Sequence, residues 1–422
     1  MSAGAQVWRA EASGVLPGRL AVAVFLAFAF AYFLSTLLRA ITATLSPVLT
    51  QELGLSAREL GLLAGGYFLG FSLTQLPLGR WLDRHGPRRV IVLFLTVAVL
   101  GCLVFAQADS FTGLLLARIL GGVGVSACLM APLTGYRRWF EPGVQLRTNS
   151  WMLMVGSLGM LAATLPVQWL VPLWGWRALF VALAVCLALA MLGIRWLVPS
   201  WPSASAPAGP VADAGGYAAI WRRRYFWRMV PIGFFSYGGM VAIQTLWAGP
   251  WMTQLAGWSA AEAAGGLFLI NLCMLLSFLL WGGITPALTR RGLHANRLIA
   301  AGVPLSLLAM AALVFAGPAW GPYTAVVLTL FCVSSTFVSL AQPAVAMAFP
   351  PHLAGRALSA YNLVIFAGIF VVQWGMGIGI DVVRNLGGTV AQAYQVAFGV
   401  LGLCSALSWA FFLLFRADNP AS

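Results

Sequence analysis

The sequence predicts an all-α membrane protein of twelve transmembrane helices in two pseudo-symmetric six-helix bundles. Three observations support this fold class: the composition, a series of long apolar runs, and an internal repeat. Hydrophobic residues make up 61% of the 422-residue chain and charged residues 8%, whereas about 25% of the residues in a soluble globular chain are charged. Most of this chain is therefore expected to face lipid or other helices.

Twelve apolar runs are long enough to cross a bilayer, which takes about 20 helical residues. In the first half of the chain they lie at 20–48, 59–79, 89–107, 112–133, 149–173 and 176–198. In the second half they lie at 229–252, 262–286, 297–317, 322–349, 357–380 and 393–416. The first run is too long for the apolar region of a signal peptide, so we interpret it as a membrane span.

A polar stretch near the middle of the chain separates the two halves. It is rich in Ser, Ala, Pro and Gly from Val198 to Trp221, a composition typical of a flexible linker. We therefore expect five segments: an N-terminal cytoplasmic segment at 1–19, a first bundle at 20–198, a cytoplasmic linker at 199–225, a second bundle at 226–416, and a cytoplasmic tail at 417–422.

The arginines predict the orientation of the chain. All 24 basic residues are Arg, and most lie in short gaps between apolar runs. With both termini placed in the cytoplasm, nineteen arginines lie in inner segments and only Arg58, Arg177 and Arg384 lie in outer loops. Because positive charge accumulates in cytoplasmic loops, we expect this orientation in a bacterial inner membrane. The net charge of +14 is thus a topology signal, and we expect no nucleic-acid partner.

The two halves are related by an internal repeat. Residues 47–59 read PVLTQELGLSARE and residues 250–262 read PWMTQLAGWSAAE, with seven of thirteen positions identical at an offset of 203. Such repeats are how many transporters build two bundles around a central site. Within the repeat, Ser56 with Glu59 and Ser259 with Glu262 fit the S-x-x-E capping box that begins a helix.

The loop between the second and third spans carries the most specific motif. It reads GRWLDRHGPRR and contains the defined residues Gly79, Asp83, Arg84, Gly86, Arg88 and Arg89. Each of these positions matches G-x-x-x-D-[RK]-x-G-x-[RK]-[RK], so the chain resembles the major facilitator superfamily (MFS) of secondary transporters. We expect the two glycines to permit a tight turn and close helix approach, with Asp83 pairing at the membrane surface.

The resemblance implies how this loop works. In the family this loop acts as a latch: it stabilises the outward-open state by contacts with charged helix ends of the other bundle. The candidate partners here are Arg147 and Arg356. The counterpart in the second half has Thr289 where Asp83 stands in the first, so two equivalent latches are not expected.

The fourth and fifth spans bear on the branch of the family. Residues 118–124 resemble the R-x-x-x-G-x-G pattern of its fourth span. The fifth span lacks the Gly-Pro-x-x-Gly-Gly signature of drug-proton antiporters, although many aromatic residues keep drug or metabolite export as an alternative.

Arg39 and Arg118 are the charged residues that lie well inside predicted spans, where no Asp or Glu lies. A cation in hydrocarbon costs at least about 2.5–3.5 kcal/mol, so each should face a partner, a cavity or a substrate. At 1.5 Å per residue, Arg39 lies about 12 Å inside Pro47 and Arg118 about 9 Å inside Thr112, so both fit one depth. A structural role for Arg118, bonded to backbone carbonyls, is the alternative to substrate contact.

Arg39 belongs to a polar stripe on the first span. Tyr32, Ser35 and Thr42 share its helical face, so this stripe is expected to line a water-filled path. A guanidinium matches a carboxylate or phosphate bidentately, and an anionic substrate is therefore the expected counter-charge. The second half offers neutral groups for the rest of the substrate, and the candidates are Gln244, Trp247, Asn271, Asn362 and Gln373.

We therefore expect a secondary transporter that moves a small organic anion, a carboxylate, by alternating access. A membrane enzyme or sensor is the remote alternative, since no His or acid lies well inside a span to supply catalysis. We expect no cofactor or metal, because the six cysteines form no CxxC or Cys/His cluster. The expected partners are the substrate and the bilayer, and we expect a monomer. Because pathway acids are missing, anion exchange or uniport stays open beside proton coupling.

Overall fold

The computed structural model describes residues 15–201 and 216–415, and all structural statements concern these residues. The predicted N-terminal segment up to residue 14, the linker residues 202–215 and the tail from 416 lie outside them. The described chain forms twelve long helices, α1 to α12, and a short linker helix Gly216–Trp221. The prediction of an all-helical membrane protein with about twelve spans is confirmed.

The first half contains six of these helices. The helical stretches Gln75–Gln107 and Leu165–Leu197 are each interrupted by a glycine with positive φ, Gly86 in the first and Gly175 in the second. We therefore divide the half into α1 Gly18–Leu53, α2 57–85, α3 87–107, α4 Phe111–Trp139, α5 142–174 and α6 176–197.

The second half contains the other six helices. They are α7 Arg224–Leu255, α8 Ala260–Arg290, α9 Ala295–Ala316, α10 324–347, α11 Pro351–Asn385 and α12 Val390–Leu414. Nine stretches of the described chain are long and apolar enough to cross a membrane. The number is smaller than twelve because α9 and α10 form one stretch, while turns near residue 74 and at 163–164 interrupt α2 and α5.

Most helices extend beyond the apolar runs that predicted them. The first run, 20–48, continues in α1 to Leu53 and ends at Gly54, whose φ of 63° is the left-handed conformation common after helix C-termini. Similarly, α11 begins before and ends after the run at 357–380. Apolar runs mark the part of a helix inside hydrocarbon, and polar turns continue it into the interface.

Helices α2 and α8 begin with the capping boxes that the repeat predicts. The Ser56 and Ser259 hydroxyls accept from the backbone N–H of Glu59 and Glu262, at 3.2 and 3.3 Å. Each glutamate in turn accepts from the backbone N–H of its serine, at 2.9 and 2.8 Å. These two acids are thus occupied in starting corresponding helices of the two halves.

The helix ends define two faces of the molecule. The arginine face carries the loop at 80–89 and the segments near 137–147, 222–228 and 290–297. The opposite face carries the connections at 54–56, 108–110, 256–259 and 386–389. The halves pack on each other through α1 with α7, α2 with α11, and α5 with α8. The division into two bundles at the 199–225 linker and the cytoplasmic position of the termini stay predictions.

Candidate substrate site

Arg39 lies where helices of both halves meet. Its guanidinium carbon is 5.6 Å from the ring centroid of Phe71 on α2 and 5.7 Å from that of Phe366 on α11. The Tyr67 and Tyr237 phenols also lie within electrostatic range. Within the described chain, Arg39 forms no salt bridge and its buried Nε has no hydrogen-bond partner. The arginine therefore keeps hydrogen-bonding capacity at the boundary between the halves.

The predicted stripe on α1 is packed between helices. The side chains of Tyr32, Ser35 and Thr42 are all buried. The Tyr32 phenol lies within electrostatic range of Arg39. The Ser35 hydroxyl lies one turn before Arg39 and is buried beside the Cys128 thiol. Among the described residues it makes no hydrogen bond of normal geometry. Tyr32, Ser35 and Arg39 are thus brought together, whereas Thr42 lies one turn nearer the opposite face.

Arg118 lies inside the first half. Its side chain is 3% exposed, and its Nη1 donates to the Leu38 carbonyl oxygen at 2.8 Å. The guanidinium carbon lies 5.1 Å from the ring centroid of Tyr67, whose hydroxyl donates to the Ser35 carbonyl oxygen at 3.0 Å. Arg118 thus lies at the depth of Arg39 and contacts the α1 backbone next to it, an arrangement that fits the alternative of a carbonyl-bonded structural residue.

The polar residues predicted in the second half are paired with one another. The Gln244 amide nitrogen donates to the Asn271 carbonyl oxygen at 2.9 Å. The Gln373 amide nitrogen donates to the Thr245 hydroxyl at 2.9 Å. Asn362 accepts from the Gln342 amide at 3.2 Å. These hydrogen bonds connect α7 with α8 and with α11, and α10 with α11.

A cavity of about 160 Å³ lies between the halves at the opposite face. Trp247, another predicted site residue, lines it, and its indole nitrogen donates to the Gln373 carbonyl oxygen at 3.2 Å. Asp381 and Arg384 supply charge to its wall, with Tyr394 beside them. The position of Asp381 against the other half emerges only from the structure.

Asp381 joins the two halves at this face. One carboxylate oxygen accepts from the Ala57 backbone N–H at 3.1 Å, and the other accepts from the Arg58 N–H at 2.8 Å. These N–H groups are at the first turn of α2, where helices leave donors unpaired and attract negative charge. One turn earlier on α11, Gly377 lies so close to the Ala57 carbonyl that a methyl group would collide with it. The opposite face is thus closed by α11 against the start of α2.

At the arginine face, Asp83 lies near the start of α11. Arg356 of α11 and Arg137 of α4 are both within electrostatic range of its carboxylate. The structure thus brings together Asp83 and Arg356, one of the two predicted partners, and adds Arg137. The guanidinium carbon of Arg147, the other predicted partner, lies 5.2 Å from the ring centroid of Trp151, one turn along the same helix.

The glycines and remaining arginines of the motif loop differ in their surroundings. Gly86 has a φ of 75° and lies against Trp201, so a side chain here would be both strained and obstructed. Gly79 faces open space, so close helix approach does not explain this glycine. Arg84 and Arg89 are exposed, and Arg88 lies within electrostatic range of both Arg89 and Arg195.

Tyr217 of the linker helix was missed by the sequence analysis. Its hydroxyl donates to the Leu76 carbonyl oxygen at 3.0 Å, and the Arg80 guanidinium lies 6.0 Å from its ring centroid. Burial raises the pKa of this phenol, with Arg80 and Arg356 acting in the opposite direction. The phenol therefore stays protonated at neutral pH and can keep donating. No motif marks a single tyrosine in a polar linker, so only the fold reveals it.

Comparisons with known proteins agree with the fold. The family model described as Major Facilitator Superfamily matches residues 28–373. The chain is 26% identical over 167 residues to the probable L-galactonate transporter of Escherichia coli K12, covering 40% of this chain and 37% of that protein. It is 24% identical over 255 residues to the probable sulfoacetate transporter SauU of Cupriavidus necator, covering 55% and 57%. It is 31% identical over 147 residues to a chloramphenicol resistance protein of Pseudomonas aeruginosa, covering 33% of each.

In each of these three alignments the chain spans less than two thirds of the relative's length. A solved structure of a D-xylose-proton symporter superposes with a TM-score of 0.78 at 15% identity, covering 95% of this chain and 98% of that one. At this identity the likeness concerns the fold alone. The twelve helices, the motif loop and the family match over most of the chain lead to one conclusion: the chain belongs to the major facilitator superfamily.

Proposed function

We propose that this transporter moves a small organic anion that carries a carboxylate, and that Arg39 binds the charged group. One observation carries the proposal: Arg39 lies between the halves with no salt bridge to any described residue and with its Nε unpaired. A cation in this position needs a counter-charge, and a substrate anion supplies it each time the site is filled.

The surroundings of Arg39 suit this role. Phe71 and Phe366 lie near the guanidinium and contribute cation–π attraction. Contact with ring faces leaves the edge N–H groups of an arginine available for a carboxylate, which they bind as a bidentate fork. The Ser35 hydroxyl, one turn away and beside the Cys128 thiol, offers a further hydrogen bond. The expected transport cycle moves α2 and α11 around this point.

The names of two relatives support an anionic substrate. L-galactonate and sulfoacetate, named for the E. coli and C. necator proteins, both carry carboxylates. No acidic side chain forms an ion pair with Arg39 in the described chain, so the substrate itself is the counter-charge. This arrangement favours anion exchange or uniport over symport through a protonated carboxylate beside Arg39.

Replacement of Arg39 tests the proposal in proteoliposomes. We expect Arg39→Ala to weaken binding of a transported carboxylate by about 10- to 100-fold, the loss of one charged hydrogen-bonding group. Arg39→Lys should recover only part of the affinity, because an ammonium lacks the planar fork. The readouts are substrate uptake and the ligand-induced shift in melting temperature.

Arg19→Ala is the matched control, because Arg19 lies exposed on the same helix. This variant should transport as the unchanged protein does. Uptake that Arg39→Ala leaves intact, in protein with an unchanged melting temperature, would rule out Arg39 as the anion-binding residue.

Drug efflux is a second candidate, favoured by the similarity to a chloramphenicol resistance protein and by the aromatic surroundings of Arg39. Chloramphenicol is uncharged, so its export does not need the buried guanidinium. A strain that lacks the gene should keep its resistance to chloramphenicol if the anion proposal holds. A several-fold drop in resistance, restored by the Arg39→Ala variant, would favour efflux.

A further inference from the structure

The surface around Arg39 is aromatic on several sides. The Phe71 and Phe366 rings lie within 6 Å of the guanidinium, and the phenol groups of Tyr32, Tyr67 and Tyr237 lie within electrostatic range of it. The rings come from α1, α2, α7 and α11, so both halves contribute. Aromatic rings present flat apolar faces, and they attract other rings beyond the effect of buried area. A substrate held at Arg39 must place its body against these rings.

The amides of the second half already have partners, except that the buried Oε1 of Gln373 has none among the described residues. Gln244 bonds to Asn271 at 2.9 Å, and Gln342 bonds to Asn362 at 3.2 Å. Gln373 donates to Thr245 at 2.9 Å. A polyhydroxylated substrate needs several hydrogen bonds to replace those it makes with water, and unmade bonds weaken its binding. Breaking these pairs to form such bonds would return little net energy.

The number of available cations also limits the number of negative charges that the substrate can carry. Arg118, the other arginine inside the membrane, donates to the Leu38 carbonyl and lies against the Tyr67 ring, and its two nitrogens that are unpaired in the described chain are buried within the first half, away from the boundary between the halves. A substrate at Arg39 therefore meets one guanidinium. A second carboxylate on the substrate would be buried without a counter-charge, which is costly.

We propose that the preferred substrate class is an aromatic monocarboxylate, a claim that rests on the proposed anion transport at Arg39. The carboxylate binds the guanidinium, and the substrate ring packs against Phe71, Phe366 and the neighbouring tyrosines. Phe71 and Phe366 belong to different halves, and their ring centroids are 4.2 Å apart. A substrate ring that contacts both therefore connects the halves at the same point at which its charge is bound.

Ligand-induced shifts in melting temperature of the full-length purified protein, followed by titration, test the substrate class. The probes are benzoate, cyclohexanecarboxylate, glucuronate and phthalate, which vary the ring, the hydroxyl groups and the number of charges. Benzoate should bind about 10-fold or more tightly than glucuronate and phthalate, and several-fold more tightly than cyclohexanecarboxylate. Equal or tighter binding of glucuronate would overturn the inference, as would binding of none of these anions.

Substitution of Phe366 tests the aromatic contact. Phe366→Leu should weaken benzoate binding by about 3- to 10-fold and leave cyclohexanecarboxylate binding nearly unchanged, whereas Phe366→Tyr should retain benzoate affinity. Phe411→Leu is the control, because Phe411 is exposed near the end of α12. Equal losses for both ligands in Phe366→Leu would overturn the aromatic contact.

The Arg39→Ala variant separates the two proposals. If glucuronate is preferred and its binding requires Arg39, the substrate class is wrong and anion transport at Arg39 stands. If benzoate binds equally well without Arg39, both proposals fall.

Discussion

Arg39 and Arg118 carry the same charge at the same depth, and their neighbours give them different roles. Arg39 lies against rings from both halves and keeps an unpaired buried nitrogen. Arg118 donates to the Leu38 carbonyl, with two of its nitrogens unpaired in the described chain. A small cavity beside Arg118, lined also by Cys102 and Phe105, lies within the first half. Arg118 thus holds the backbone beside Arg39, and Arg39 faces the boundary.

We expect Arg118→Met to raise thermal stability and lower transport. A buried charge without a carboxylate is costly, and even buried ion pairs can be replaced by apolar residues with a change that is neutral or stabilising by about 1–4 kcal/mol. Arg118→Ala should instead lower stability, because it leaves a cavity. Melting temperatures in one detergent, with uptake measured in parallel, check this. A fall in melting temperature as large for Met as for Ala would show that the charge itself stabilises the fold.

At the level of elements, the pair α2 and α11 connects the halves along its length. Near the opposite face, Gly61 lies so close to the Gln373 carbonyl that a side chain would collide. Farther along, Gly65 packs against Phe370, and Phe71 contacts Phe366. Small residues allow such close approach between membrane helices. The sequence predicted both helices, but not this pairing, because glycine spacing on one helix does not identify the partner.

We expect Asp381→Asn to loosen the closure at the opposite face. The asparagine loses the negative charge that favours the start of α2 and presents one acceptor instead of two, a change worth about 0.5–2 kcal/mol. In a background without native cysteines, Leu60→Cys reports opening, because Leu60 is buried and lines the cavity. An impermeant maleimide should label this cysteine several-fold faster in the Asp381→Asn variant.

The control for this experiment is Asp109→Asn. Asp109 is an acid at the same face that pairs with Arg177 inside the first half. It should leave the labelling rate unchanged. Equal labelling rates in all three proteins would mean that Asp381 does not restrain the closed state.

At the level of the whole molecule, the two faces differ in charge and in connection. The arginine face carries the motif loop, and near it Asp83 lies in range of Arg356 while Tyr217 of the linker helix bonds to Leu76. The opposite face is closed by Asp381 on the start of α2. Helices α2 and α11 thus meet charged or capping groups near both ends. This suits a rocking motion between one arrangement closed at the arginine face and another closed at the opposite face.

Reporter fusions test the predicted orientation. The excess of arginine at one face predicts that this face is cytoplasmic. Alkaline phosphatase fused after Leu386, in the connection between α11 and α12, should be active, whereas the same enzyme fused after residue 292, next to Arg290 and Arg291, should be inactive. Green fluorescent protein should show the reverse pattern. Active phosphatase at residue 292 would invert the predicted topology.

The sequence by itself determined the fold class, the family motif, the two capping boxes and the arginine residues inside the membrane. Each of these depends on local composition or short spacing, since a bilayer requires long apolar helices and makes a buried charge conspicuous. Only the tertiary structure decided which polar side chains are already hydrogen-bonded within the protein and which are available to a substrate. It paired Gln244 with Asn271 and Gln373 with Thr245, and it gave Arg118 a carbonyl partner. It also placed Asp381 of α11 against the backbone N–H groups at the start of α2. Hydrogen bonds between helices distant in the chain depend on packing, which a single sequence does not display.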